Sequence, residues 1–131
     1  MINQDDVQSF IERLSDSVIT SDEVEPGMWI LTAGSDGAGI VVSYDPPVLV
    51  IRVNVMELPP PGSRRTELMQ KLLELNAGEL VHGSYGIEGE HVVLTDALQL
   101  ENLDFTEFQA TYDSITLALA SHMPALASYQ E

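Results

Sequence analysis

The 131-residue sequence contains no cysteine, which excludes a disulfide framework, a thiolate metal site and a cysteine nucleophile, and leaves the redox compartment undetermined. Basic residues are scarce: five Lys and Arg stand against 21 Asp and Glu, for a formal net charge of −16. Such a chain repels a phosphate backbone instead of neutralising it, so nucleic acid is a poor partner. No apolar run approaches the ~20 residues needed to span a bilayer. The start, Met1-Ile2-Asn3-Gln4-Asp5-Asp6, has neither the basic region nor the apolar run of a signal peptide. A cytoplasmic protein without membrane attachment is expected. Apolar material, in contrast, is ample. The chain is 44% hydrophobic, with several Leu/Ile/Val-rich stretches, which argues against disorder despite the charge. This length suits one compact domain over residues 1–131.

Local signals give the order of elements. Asn3 is placed to cap a first helix, with Ile2 and Val7 in the positions of a hydrophobic staple. Val7, Phe10, Ile11 and Leu14 recur at helical spacing, and the helix is expected to end near Asp16. Glu25-Pro26-Gly27 reads as a turn before a strand from Met28 to Leu31. The glycine cluster Gly34 to Gly39 then turns the chain into a second strand, Gly39 to Tyr44. Asp45-Pro46-Pro47 opens a third, Val48 to Met56. Pro59-Pro60-Pro61-Gly62 feeds a helix from about Ser63 to Asn76, stopped by Asn76-Ala77-Gly78. A second hairpin pairs Gly83–Ile87 with His91–Leu94 through Glu88-Gly89-Glu90. Asp104 with Glu107 forms an acidic capping box for the last helix, with Leu103 and Phe108 as its staple. Along that helix Phe105, Phe108, Tyr112, Ile115 and Leu119 make an apolar stripe that reads as core. Pro124 is expected to end or kink it, leaving 125–131 as a tail free to fray. The order α-β-β-β-α-β-β-α implies an α+β fold: an antiparallel twisted sheet with helices packed mainly on one face.

The third strand is the most informative segment, because its two faces are unequal. Leu49, Ile51, Val53 and Val55 form an aliphatic face that helices must cover, whereas Val48, Val50, Arg52, Asn54 and Met56 form a mixed one. A mixed face fits the wet side of an antiparallel sheet and is apolar enough to bind something. Charge singles out the same region. Residues 1–28 hold seven acids and one base, residues 29–66 three of each, and residues 67–131 eleven acids and one base. A partner docking on the middle segment need not overcome repulsion.

The C-terminal half carries a more specific pattern: Leu72-Leu73-Glu74-Leu75-Asn76, then Tyr85-Gly86-Ile87-Glu88, Val92-Val93-Leu94, Leu98-Gln99-Leu100, Leu103-Asp104 and Phe108. With the element order, this resembles the type III secretion chaperone-like fold shared by class I secretion chaperones and YbjN-like domains, over essentially the whole chain. The resemblance implies a homodimer without catalytic machinery that binds an extended segment of a client protein on helix 1 and the open sheet. Two features depart from the pattern: Arg64-Arg65 replaces an apolar contact at the second helix start, and the Gly34–Gly39 loop is unusually glycine-rich.

Other chemistry fits poorly. His82, His91 and His122 are not brought together by an Glu88-Gly89 hairpin turn, which sets Gly86 against His91 and His82 against Thr95; they read as solvated, and no metal site is expected. The glycine loop lacks a lysine and leads into a strand, so it does not cradle phosphate. No Gly-x-Ser-x-Gly elbow occurs, and Asp5-Asp6 and Glu23/Glu25 read as solvated acids. Arg64 and Arg65, unfavourably placed at a helix N-terminus, are either solvated or mark an acidic partner. The expected function is therefore a homodimeric protein-binding module with no catalytic residues and no cofactor. Its expected client-binding residues are Phe10, Trp29, Val48, Val50, Met56, Arg64 and Arg65. Met69, Leu72, Leu73 and Tyr85 are expected at the dimer interface, because the second helix carries more apolar surface than one sheet can bury. A small-molecule- or metal-binding regulatory domain, using the loops Gly34–Gly39 and Glu88–His91, is the alternative.

Overall fold

The computed structural model describes residues 1–14, 20–33 and 38–130. Its elements are α1 (Gln4–Arg13), β1 (Thr20–Glu25), β2 (Met28–Ala33), β3 (Ala38–Asp45), β4 (Val48–Glu57), α2 (Ser63–Gly78), β5 (Ser84–Glu88), β6 (His91–Gln99) and α3 (Phe105–Ala127), followed by a short 3-10 turn at Ser128–Gln130. The six strands form one sheet in the order β1-β2-β3-β4-β6-β5. The β1–β2, β2–β3, β3–β4 and β5–β6 ladders are antiparallel.

The main departure from the sequence reading is β1. Its residues, Thr-Ser-Asp-Glu-Val-Glu, show no apolar alternation, because the strand lies at the sheet edge with its described side chains exposed. Acids on an edge strand are a common defence against edge-to-edge pairing. Two other expectations fall outside the described residues: the helix end near Asp16, and the Gly34–Gly37 part of the glycine loop. The end of the chain also differs. α3 passes through Pro124 and runs to Ala127, where fully buried Leu126 anchors the last turn that was expected to fray.

Two compact units make up the chain. The first comprises Met1–Val53 and Asp96–Ala110, the second Asn54–Thr95 and Thr111–Glu131. In the first, the Asn3 side chain accepts from the Asp6 N–H while the Asp6 carboxylate accepts from the Asn3 N–H, a complete capping box. The capped helix buries Val7 and Ile11. Trp29, Val42 and Ile51 lie side by side across three strands and are all buried, as are Leu31, Ile40 and Val53. In the second unit, α2 buries Leu68, Leu72 and Leu75, and α3 buries Tyr112, Ile115 and Leu119.

Strict alternation in β4 ends at Val53. Asn54 is exposed, Val55 half-buried and Met56 buried, so buried positions change parity. Val55 therefore does not continue the buried aliphatic face, and Met56 does not belong to the open one. Up to Val53 the two faces should differ sharply in energy. Ile51→Ala is expected to lower unfolding free energy by about 2–5 kcal/mol in urea titrations, and Val50→Ala by less than about 1 kcal/mol. Equal losses would contradict the assignment of faces.

Candidate functional site

The register of the first unit places a second set of side chains together, on the face opposite Trp29, Val42 and Ile51. Met28 lies beside Ser43, and Ser43 beside Val50; in the next row Ile30 lies beside Val41, and Val41 beside Arg52. Val48 pairs with Asp45. All of these except exposed Asp45 are half-buried. Five aliphatic side chains (Met28, Ile30, Val41, Val48 and Val50) thus meet solvent on one continuous patch. This half-wet apolar face is the candidate interaction surface of the first unit. Val48 and Val50 were expected there. Met28, Ile30, Val41 and Ser43 were missed, although the alternation of β2 and β3 carries the signal.

Two other expected contacts are not on this patch. Trp29 is only 2% exposed, because its large ring fills the core and its indole Nε1–H donates to Gln8 Oε1 on α1 at 2.6 Å. Met56, 8% exposed, is core for the reason given above. Phe10 is half-buried and lies 6.0 Å from Phe105 and 5.9 Å from Phe108 between ring centroids. The Arg13 guanidinium sits 3.9 Å from the Phe105 ring centroid, a cation–π arrangement.

The second unit separates the two arginines. Arg64 is exposed, whereas Arg65 Nε donates to the Pro59 carbonyl and its guanidinium pairs with Glu90, both at 2.7 Å. Arg65 is therefore held by its own chain and is not a freely solvated side chain. Leu72 and Tyr85 are likewise buried within the chain. Of the expected interface residues, Met69 is half-buried and Leu73 is 68% exposed. Val81, in the loop after α2, and Ile87, on edge strand β5, are also exposed.

The β5–β6 hairpin turns one residue later than expected. Glu88 pairs with His91 and Ser84 with Thr95, because Gly89, at φ +61°, takes the first central position of the turn. His91 is exposed and 3.9 Å from Glu57, a weak surface pair. His122 is not solvated: it is buried, and its Nδ1 lies 2.7 Å from the Tyr85 hydroxyl. The Asn76 amide fixes Tyr85 by donating to its carbonyl and accepting from its N–H. Burial pushes the Tyr85 phenol up to about 12, so it keeps its proton at neutral pH, and the tautomer of His122 sets which of the two groups donates. Among the described residues no group of three or more His, Asp or Glu could hold a metal ion.

Residues 2–131 match the family model CesT_Tir_1. The chain belongs to this family of type III secretion chaperones. Solved structures of similar fold include the heterodimeric ExoU–SpcU complex from the type III secretion system of Pseudomonas aeruginosa, at 12% identity and TM-score 0.66, covering 95% of this chain and 98% of that one. The ExsC–ExsE complex aligns at 15% identity and TM-score 0.68, covering 96% and 97%. The HopA1–SchA chaperone–effector complex aligns at 10% and 0.61, covering 88% of each chain. No curated protein matches the chain. The secretion-chaperone family and its α+β fold are those expected from the sequence.

Tyr85 gives this chaperone-family member an alkaline signature. An unfolded phenol ionises near 10 and the buried one near 12, so its contribution is complete below pH 10 and is lost as pH rises towards 12. Unfolding free energy should fall by up to about 3 kcal/mol across that window. Burial also raises the Tyr112 phenol, so Tyr85→Phe should reduce the slope without abolishing it. At neutral pH the same variant should lose about 1–3 kcal/mol, because buried His122 Nδ1 loses its hydrogen-bond partner. An unchanged alkaline slope in Tyr85→Phe would contradict the assignment.

Proposed function

We propose that the chain is a non-enzymatic, cytoplasmic, homodimeric module that holds an extended segment of a client protein against the half-exposed face of β2–β4. One observation carries this reading: Met28, Ile30, Val41, Val48 and Val50 form a continuous, partly wet apolar patch in the charge-balanced part of a chain of net charge −16. Extended segments gain affinity from apolar contacts in alternate pockets, and a neutral patch lets them approach without repulsion. Membership of a secretion-chaperone family supports a protein client, as do neighbours of the same fold that are named as complexes. Phe10, beside Phe105 at the end of α1, extends the apolar contact available in the same unit.

The proposed dimer uses the second unit. Leu73, Val81 and Ile87 are 68%, 84% and 45% exposed, apolar surface that a two-fold contact would bury. Three of the chain's five cations, Arg64, Arg65 and Lys71, lie on α2, so two acidic chains meet there with least repulsion.

Replacing Val48 and Val50 by Asp should abolish client capture from native lysate while leaving the melting temperature within a few degrees of wild type. Retained capture would contradict the proposed face. Light scattering on the eluted peak should give twice the chain mass at micromolar concentration, and Leu73→Asp should give the monomer. A monomeric wild type would contradict the dimer.

A further inference from the structure

Gly39 is a glycine that the backbone does not need. Gly27 shows the contrast: its φ of +82° strains any other residue, and a would-be Cβ lies a tight 3.1 Å from the Gln4 side chain. Gly39 has no such conformation, and among the described residues a Cβ there would meet only Ile30 Cγ2, at an ordinary 3.6 Å. A strand-interior glycine gives up packing and chain entropy, and often marks a place where another backbone or ligand approaches closely. Gly39 pairs with Thr32 and lies next to Val41 on the half-exposed face, with Ile30 beside it. Among the described residues, Ile30, Thr32 and Val41 border the space that the missing side chain leaves, a notch in this face. Gly86, the other strand glycine without such a need, lies on edge strand β5 and faces open space.

Charge determines what fits beside this notch. β1 carries Asp22, Glu23 and Glu25 and no base, and Asp22 stands opposite Ile30, on the same face as the notch. β1 and β3 are two strand spacings apart, about 10 Å. Same-face side chains of an extended segment are about 7 Å apart, and a lysine stem spans the remainder.

We propose that Gly39 is a specificity-determining position: its notch seats one large aliphatic or aromatic side chain of an extended segment, whose next same-face residue is a lysine or arginine over Asp22. This rests on the client-binding reading and narrows it to basic–apolar segments. The probe is a synthetic peptide in which threonines alternate with a central leucine flanked by lysines, titrated while amide resonances are followed. It should bind about tenfold more tightly than the same peptide with alanine for leucine, or with glutamates for lysines. Resonances of Asp22, Thr32, Gly39 and Val41 should move most. Gly39→Val, whose new side chain fits the strand, should keep the native amide spectrum and lose about tenfold in affinity; Gly39→Ala should lose less.

Equal binding of the alanine or glutamate peptide would overturn the proposal, as would unchanged affinity in Gly39→Val, no peptide binding, or shifts centred elsewhere. If the face is instead covered by a second copy of the chain, the peptide fails to bind and Val50→Asp changes the mass in solution. Client capture that is lost in Val48→Asp/Val50→Asp but kept in Gly39→Val would leave the client face standing and remove the notch.

Discussion

The pleat of the β2–β3–β4 ladder commits every side chain to one of two faces, and the rest of the first unit depends on that division. Trp29, Val42 and Ile51 point one way and are sealed; Ile30, Val41 and Arg52, one residue along, point the other way and are half-wet. A slip of one residue would exchange the two sets, placing an arginine in the core and a tryptophan in water. The capped α1, with Gln8 holding the Trp29 indole, reinforces this division. The open face is therefore a consequence of a well-specified core.

Different interactions set the exposed apolar residues of the second unit. Asn76 fixes the backbone of Tyr85, whose hydroxyl engages buried His122. Arg65 ties the start of α2 to Pro59 and Glu90. Among the described residues of this unit, the exposed large aliphatics are Leu73, Val81, Ile87 and Leu117. The chain thus presents two apolar surfaces of different character, one a flat strand face and the other a helix with an adjoining strand edge.

Legibility in the sequence followed the strength of the local signal. The caps at Asn3 and Asp104 and the stripe from Phe105 to Leu119 were readable, because each rests on short-range spacing that the structure satisfies. The unequal faces of β4 were readable as far as Val53. Strand β1 was not, because an exposed edge needs no apolar alternation. The fates of Trp29, Met56, Arg65 and His122 were hidden for another reason. Each is decided by a neighbour distant in sequence, or by a change of strand parity, that composition and spacing do not encode. Three of the five aliphatic residues of the candidate patch, Met28, Ile30 and Val41, were missed because β2 and β3 were read singly, whereas the patch exists only once their register with β4 is known.

The central claim is that the half-wet strand face, and no other apolar surface, receives the client. Site-specific photo-crosslinking tests it most directly, with a photoreactive residue placed at Val50 in one variant and at exposed Leu117 of α3 in another. The account predicts client adducts from position 50 and none from position 117. Adducts from position 117 with none from position 50 would contradict it.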